Sequence, residues 1–222
     1  MASETLFEVR GLRRSFRGPT GKAEVHALAG VDLRIERGEF VVLRGPSGCG
    51  KTTLLLTLGS LRRPSAGSVE FAGRELYDLP DSKRRELRAG PIGFVFQEMH
   101  LLPYLDAQAN VALACEGSAG RERACAVLER LGLGDRLAHR PAQLSAGERQ
   151  RVAVARVLVR EPEVILADEP TGSLDPESAA LVLELLSNFH AGGGSVVLVT
   201  HAAELELGAE PRSLAMRAGR IE

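Results

Sequence analysis

The chain has 222 residues, 44% of them hydrophobic and 26% charged, with a formal net charge of −1. That length suits one globular domain with a substantial core, and the balanced charge argues against a nucleic-acid partner. Three cysteines (Cys49, Cys115, Cys125) match no zinc or disulfide framework, no apolar run approaches the ~18 residues needed to span a bilayer, and the N-terminus lacks the pattern of a signal peptide.

Leu6 to Leu12 reads as a short strand, and Val31, Leu33 and Ile35 alternate with charged residues as on a half-buried strand. Phe40-Val41-Val42-Leu43 is an apolar run of buried-strand type. A Gly-rich turn leads from it to a helix from Lys51 to about Gly59. Ser68 to Phe71 reads as a strand, Ser82 to Ala89 as a short charged helix and Ile92 to Phe96 as another strand. From Asp106 to Arg160 the pattern is helical, broken at Gly117–Gly120, Gly132–Gly134 and Pro141. Val164 to Ala167 and Val196 to Val199 are buried-strand candidates. Between them Val182, Leu185, Leu186 and Phe189 mark one helix face, capped by Asp175 with Pro176 at its first position. The alternation indicates an α/β fold with a mainly parallel core sheet. The expected organisation is a single domain, 1–222, with an α/β core (1–97 and 163–222) and an inserted helical subdomain (98–162). Residues 121–160 hold nine Arg against four acids, and residues 161–222 three Arg against eleven. That asymmetry fits either two solvated helix faces or a basic element meeting an anionic ligand or partner.

Gly45-Pro46-Ser47-Gly48-Cys49-Gly50-Lys51-Thr52 fits GxxxxGK(S/T) between an apolar strand and a helix. The glycines let successive N–H groups approach phosphate oxygens, and the helix N-terminus adds its partial positive charge. Lys51 supplies a cation for the β and γ phosphates, and the Thr52 hydroxyl a ligand for Mg²⁺. Thr53 follows on the same turn. Cys49 needs only to be small, so no thiol chemistry is expected.

Asp168 and Glu169 end a buried strand, where unpaired acids are costly. Asp168 is suited to hold Mg²⁺ with Thr52, and Glu169 to polarise a water attacking the γ-phosphate. Alone such a pair reads as a helix cap or surface acids; downstream of a phosphate loop the catalytic reading gains.

Taken in order, these motifs resemble the nucleotide-binding subunit of an ATP-binding cassette (ABC) transporter over nearly the whole chain, and the implied fold is a P-loop cassette with an N-terminal antiparallel β group. Gln97, after Gly93-Phe94-Val95-Phe96, resembles the Q-loop. Leu144-Ser145-Ala146-Gly147-Glu148-Arg149-Gln150 resembles the LSGGQ signature, Ser173-Leu174-Asp175 the D-loop and His201 the switch histidine. Phe16 stands where the family stacks an aromatic on adenine. Glu24-Val25-His26-Ala27-Leu28, Leu101-Leu102-Pro103, Asn110-Val111 and Leu166 to Gly172 resemble the lipoprotein-releasing, macrolide-exporting and antimicrobial-peptide-resistance branch.

The resemblance implies ATP and Mg²⁺ as cofactors and hydrolysis by Glu169, His201, Gln97 and Lys51, with Gln97 sensing the metal. Ser145, Ala146, Gly147 and Glu148 would close on the nucleotide held by a second copy, so a homodimer is implied. It also implies a separate integral-membrane permease subunit. The dense apolar stretch Met99, Leu101, Leu102, Pro103, Tyr104 and Leu105 is the kind of patch that marks an interface, so the permease contact is expected near Gln97 to Leu105. That would hold the chain at the cytoplasmic face of the inner membrane. A regulatory cassette of the cell-division type, gating a cell-wall hydrolase without transport, is the competing reading. Departures from the family pattern are Ala146 for Gly, Glu148 for Gln, Ala202 for Asp and Ala109 for Glu. Ser145 is expected to open a helix running to about Arg160, which would put Ala146 in its first turn.

Overall fold

The computed structural model describes residues 5–17, 24–115, 117–201, 207 and 210–222. Two sheets form its frame. In the first, β1 (Thr5–Arg17) pairs antiparallel with β2 (Glu24–Glu36) and with β4 (Ala66–Phe71), and β5 (Arg74–Glu75) lies at the edge. β1 runs well past Leu12, the expected end of this strand. A bulge between Val9 and Leu12 explains this: Gly11 turns left-handed (φ 55°) and its N–H donates to Asp32 Oδ1 at 2.7 Å. The strand therefore continues beyond a break in its period-2 pattern.

The second sheet has the order β10-β9-β3-β8-β7-β6. Its members are β3 (Phe40–Arg44), β6 (Ile92–Phe96), β7 (Val164–Asp168), β8 (Ser195–Thr200), β9 (Arg212–Arg217) and β10 (Arg220–Ile221). All neighbours are parallel except β9 and β10. Both faces are covered, so the central strands are apolar throughout. Val41, Leu43, Val197 and Val199 pack toward the antiparallel sheet and α1 (Lys51–Leu58), while Phe40, Val42, Val196 and Leu198 pack toward α6 (Pro176–Ala191). A short exposed helix, α2 (Asp81–Ala89), precedes β6.

Between β6 and β7 lie α3 (Ala107–Ala112), α4 (Gly120–Arg130), two one-turn 3₁₀ helices (Gly134–Arg136, Pro141–Gln143) and α5 (Ala146–Leu158). They build a separate apolar cluster around Val111, Leu128, Val152 and Ala155. α5 stops before Arg160 because the chain turns at Glu161 (φ 53°) ahead of Pro162, and a residue preceding proline is disfavoured in helical conformation. Asp175 caps α6 by accepting from Ser178 N–H at 2.9 Å, with Pro176 at the first helical position. No helix among the described residues is long and apolar enough to cross a membrane.

Candidate nucleotide site

The carboxyl ends of four adjacent parallel strands, β3, β8, β7 and β6, carry the phosphate loop, His201, Asp168 with Glu169, and Gln97 in turn. Ligands of open α/β sheets bind at this edge. A cleft of about 340 Å³ lies there, lined by Ala27, Ser47, Gly48, Gly50, Lys51, Thr52, Thr53, Gln97, Glu169 and His201. A larger cleft of about 670 Å³, lined in part by Arg37, Arg130, Phe189 and Ser195, contains none of these motif residues.

Gly50 precedes α1 with φ 112°, and a β-carbon on it would stand 2.2 Å from the Ala27 carbonyl oxygen. Only glycine satisfies both conditions. Pro46, Ser47 and Gly48 are exposed and Cys49 is buried. Lys51 is buried to 6% exposure, and its ammonium donates to the carbonyls of Gly45 at 2.7 Å and Pro46 at 3.1 Å. The loop thus holds the cation against its own backbone, with the N-terminal end of α1 beside it.

Thr52 Oγ1 donates to Asp168 Oδ1 at 3.1 Å. Burial pushes the Asp168 carboxyl up from the ordinary aspartate range; the Thr52 hydrogen bond and Lys51 oppose this, and the Glu169 charge adds to it. A hydroxyl, a carboxylate and the Gln97 amide are hard oxygen donors that suit Mg²⁺. Among the described residues no cluster of three or more His, Cys, Asp or Glu could hold a metal by itself. The donor set therefore fits an ion shared with phosphate oxygens and water.

Glu169 has φ 48°, unusual for a residue with a side chain. Its N–H donates to Val199 O at 2.9 Å, and its Oε2 lies 2.9 Å from His201 Nδ1 and 3.3 Å from the His201 backbone nitrogen. The carboxylate is mostly covered (19% exposed) while the imidazole stands open (69%). Ala202 lies outside the described residues.

Ser145 and Ala146 lie away from this cleft, at the start of α5. Ser145 is the N-cap: its Oγ accepts from Glu148 N–H at 3.1 Å, and Glu148 Oε2 accepts from Ser145 N–H at 2.8 Å. Arg136 Nε donates to Glu148 Oε1 at 2.8 Å. The Ser145 backbone hydrogen bond, then Arg136, hold the Glu148 carboxyl below the ordinary range. Ala146 is the first helical residue, as expected. Gly147 is buried against α6, where a β-carbon would reach within 2.2 Å of Ser178 Oγ.

Phe16 is half-buried on β1 and is not part of the cleft lining. The Arg14 and Arg62 guanidiniums lie 4.8 and 5.0 Å from its ring centroid.

Several contributors act by means the motifs did not reveal. Ala27 and Met216 touch the phosphate loop through backbone carbonyls, and Gly219 N–H donates to Cys49 O at 2.9 Å. Gln150, fully buried, donates to Phe96 O at 3.0 Å, and Arg156 donates to Met99 O and His100 O at 2.8 and 2.9 Å. Two side chains of α5 thus grip the chain on both sides of Gln97. The spacing Ser-x-x-Glu at 145–148 was the readable signal for the reciprocal cap.

A family profile described as "ABC transporter" matches residues 28–172. The macrolide export ATP-binding/permease protein MacB of Rhodopseudomonas palustris is 47% identical over 226 aligned positions, covering 100% of this chain and 33% of that protein. The pyoverdine export ATP-binding/permease protein PvdT of Pseudomonas aeruginosa is 45% identical, covering 97% of this chain and 31% of that protein. The chain spans about a third of the length of these curated relatives. Among solved structures, the dimeric ATP-binding cassette MJ0796 bound to ADP and Pi in a post-hydrolysis state is 36% identical. It aligns with a TM-score of 0.88 over 98% of this chain and 97% of that one. Sequence, fold and site geometry agree, and the chain is an ATP-binding cassette belonging to the ABC transporter family.

Proposed function

We propose that the chain binds ATP with Mg²⁺ and hydrolyses it as a head-to-tail homodimer, driving an exporter-type membrane permease. The observation carrying this reading is the convergence, on one sheet edge, of Lys51, the Thr52–Asp168 hydrogen bond and the Glu169–His201 pair. In this reading the loop N–H groups from Gly48 to Thr53 and the Lys51 ammonium hold the β and γ phosphates. Thr52, Asp168 and Gln97 would hold Mg²⁺, which when bound offsets phosphate charge. Glu169 accepts the proton of the attacking water. His201, oriented by Glu169 through Nδ1, presents its opposite edge to the γ-phosphate. Ser145 of a second copy completes the site, and Phe16 stacks on the base.

The dimeric MJ0796 cassette supports a homodimer. Relatives named as ATP-binding/permease proteins support a permease partner, and their export names support the direction. The segment from Gln97 to Leu105, with Tyr104 66% exposed, is the proposed permease contact. Such contact would put the chain at the cytoplasmic face of the inner membrane. The α/β core (1–97 and 163–222) and the helical unit (98–162) are proposed as the two parts that shift on closure. The test is Glu169→Gln: ATP binding should persist while turnover falls at least a hundredfold, as for loss of a general base. Turnover near the wild-type rate would remove Glu169 from the mechanism.

A further inference from the structure

At the start of α5 a negative charge stands where the proposed function brings a phosphate. Glu148 Oε2 accepts from the Ser145 N–H at 2.8 Å, so the carboxylate lies one hydrogen bond from the residue that meets the γ-phosphate of a second copy. Uncompensated, that charge would oppose closure, because like charges brought together at an interface are strongly unfavourable. The cap itself does not need the charge: a Gln amide oxygen accepts the same N–H. What the fold adds is Arg136, in the 3₁₀ turn Gly134–Arg136, whose Nε donates to the other oxygen, Glu148 Oε1, at 2.8 Å. The Arg136 side chain is 42% exposed and that of Glu148 19%. The carboxylate is therefore pinned between the backbone and the guanidinium, while Arg136 keeps an open side toward solvent.

We infer that Arg136 is a positioning residue for the composite ATP site: it neutralises Glu148 so that the signature of one copy can close on the γ-phosphate held by the other. The pair works as a unit. Removing Arg136 leaves a carboxylate facing a polyanion, whereas removing both charges leaves a neutral, still capped signature. The inference rests on the reading that the signature acts across a dimer.

The experiment measures ATP-driven dimerisation by light scattering, in a Glu169→Gln parent with Mg²⁺ and ATP. Two such sites close per dimer, so Arg136→Ala, or Arg136→Gln if the alanine variant folds poorly, should weaken dimerisation by about tenfold. The defect should shrink at high salt, because screening weakens charge repulsion. Adding Glu148→Gln should restore the dissociation constant to within about twofold of the parent, since coupled pairs deviate from additivity. A purely structural role for Arg136 would give a defect that neither salt nor Glu148→Gln repairs. Dimerisation of Arg136→Ala equal to the parent, or no rescue by Glu148→Gln, overturns the inference alone. Failure of the parent to dimerise with ATP overturns the composite-site reading and this inference with it.

Discussion

Replacing Gly147 by alanine probes how closely the signature helix must seat on α6. The added β-carbon would stand 2.2 Å from Ser178 Oγ and 2.6 Å from Ser178 Cβ, whereas ordinary contact begins near 3.4 Å. The two helices would have to part by about 1 Å, an overpacking strain of about 1–3 kcal/mol. Alanine favours helix over glycine by up to about 1 kcal/mol, so the net expectation is a loss of about 1–2 kcal/mol. For a chain of this size each kcal/mol lowers Tm by about 2–4 °C. Ser178→Gly removes both clashing atoms and leaves only Ser178 Cα, at 3.7 Å. The double variant should then be at least about 1 kcal/mol more stable than the single effects sum to. Urea unfolding of the four proteins measures this coupling directly. ATPase activity should follow the same pattern, because the strain falls on the helix that Ser145 opens. A Gly147→Ala protein as stable as wild type, or no coupling to Ser178→Gly, would refute the reasoning.

Asp168→Asn should leave the nucleotide-free protein as stable as wild type or more so at pH 7, yet abolish the rise in Tm on adding Mg²⁺ and ATP. Burial raises the Asp168 carboxyl, so the folded chain binds this proton more tightly than the unfolded one. Stability therefore falls as pH rises from about 3.9 through the raised folded value, and in Asp168→Asn thermal melts across that range should lose this component. Ala146→Gly, at the first position of α5, should change turnover by less than about threefold, under 1 kcal/mol of barrier; a tenfold gain in steady-state ATPase would show that the methyl group impairs the signature. Ala218 holds φ 45° in the turn before Gly219. Asparagine tolerates that conformation better, so Ala218→Asn should raise the urea midpoint by the equivalent of about 0.5–1 kcal/mol.

The parts of the fold that were legible are those whose signal is local. The run Phe40 to Leu43, the glycine turn and Lys51 are contiguous, and β3, the loop and α1 form where the pattern puts them. Asp175-Pro176 marks the start of α6 in the same way. The C-terminal strands β9 and β10 were not legible, since in Arg212–Arg217 only Met216 is fully buried and no apolar alternation develops. The far half of β1 was hidden by the bulge at Gly11. At the site, residue types announced the phosphate loop and the acid pair. What supports them did not announce itself: Ala27, Met216 and Gly219 act through backbone atoms, which carry no residue signature. Gln150 and Arg156 reach Phe96, Met99 and His100 across more than fifty residues of chain, a pairing that only the folded molecule brings about.

The claim that each catalytic site is shared between two copies is tested most directly by mixing two inactive variants. Lys51→Ala disables the phosphate loop and keeps the signature; Ser145→Arg obstructs the signature and keeps the loop. Each alone should show almost no ATPase activity. In a one-to-one mixture, half of the dimers pair one copy of each and hold one intact composite site, so about a quarter of wild-type activity should return, as expected for a two-fold symmetric dimer. A mixture as inactive as its components, with mixed dimers shown to form, would contradict the account.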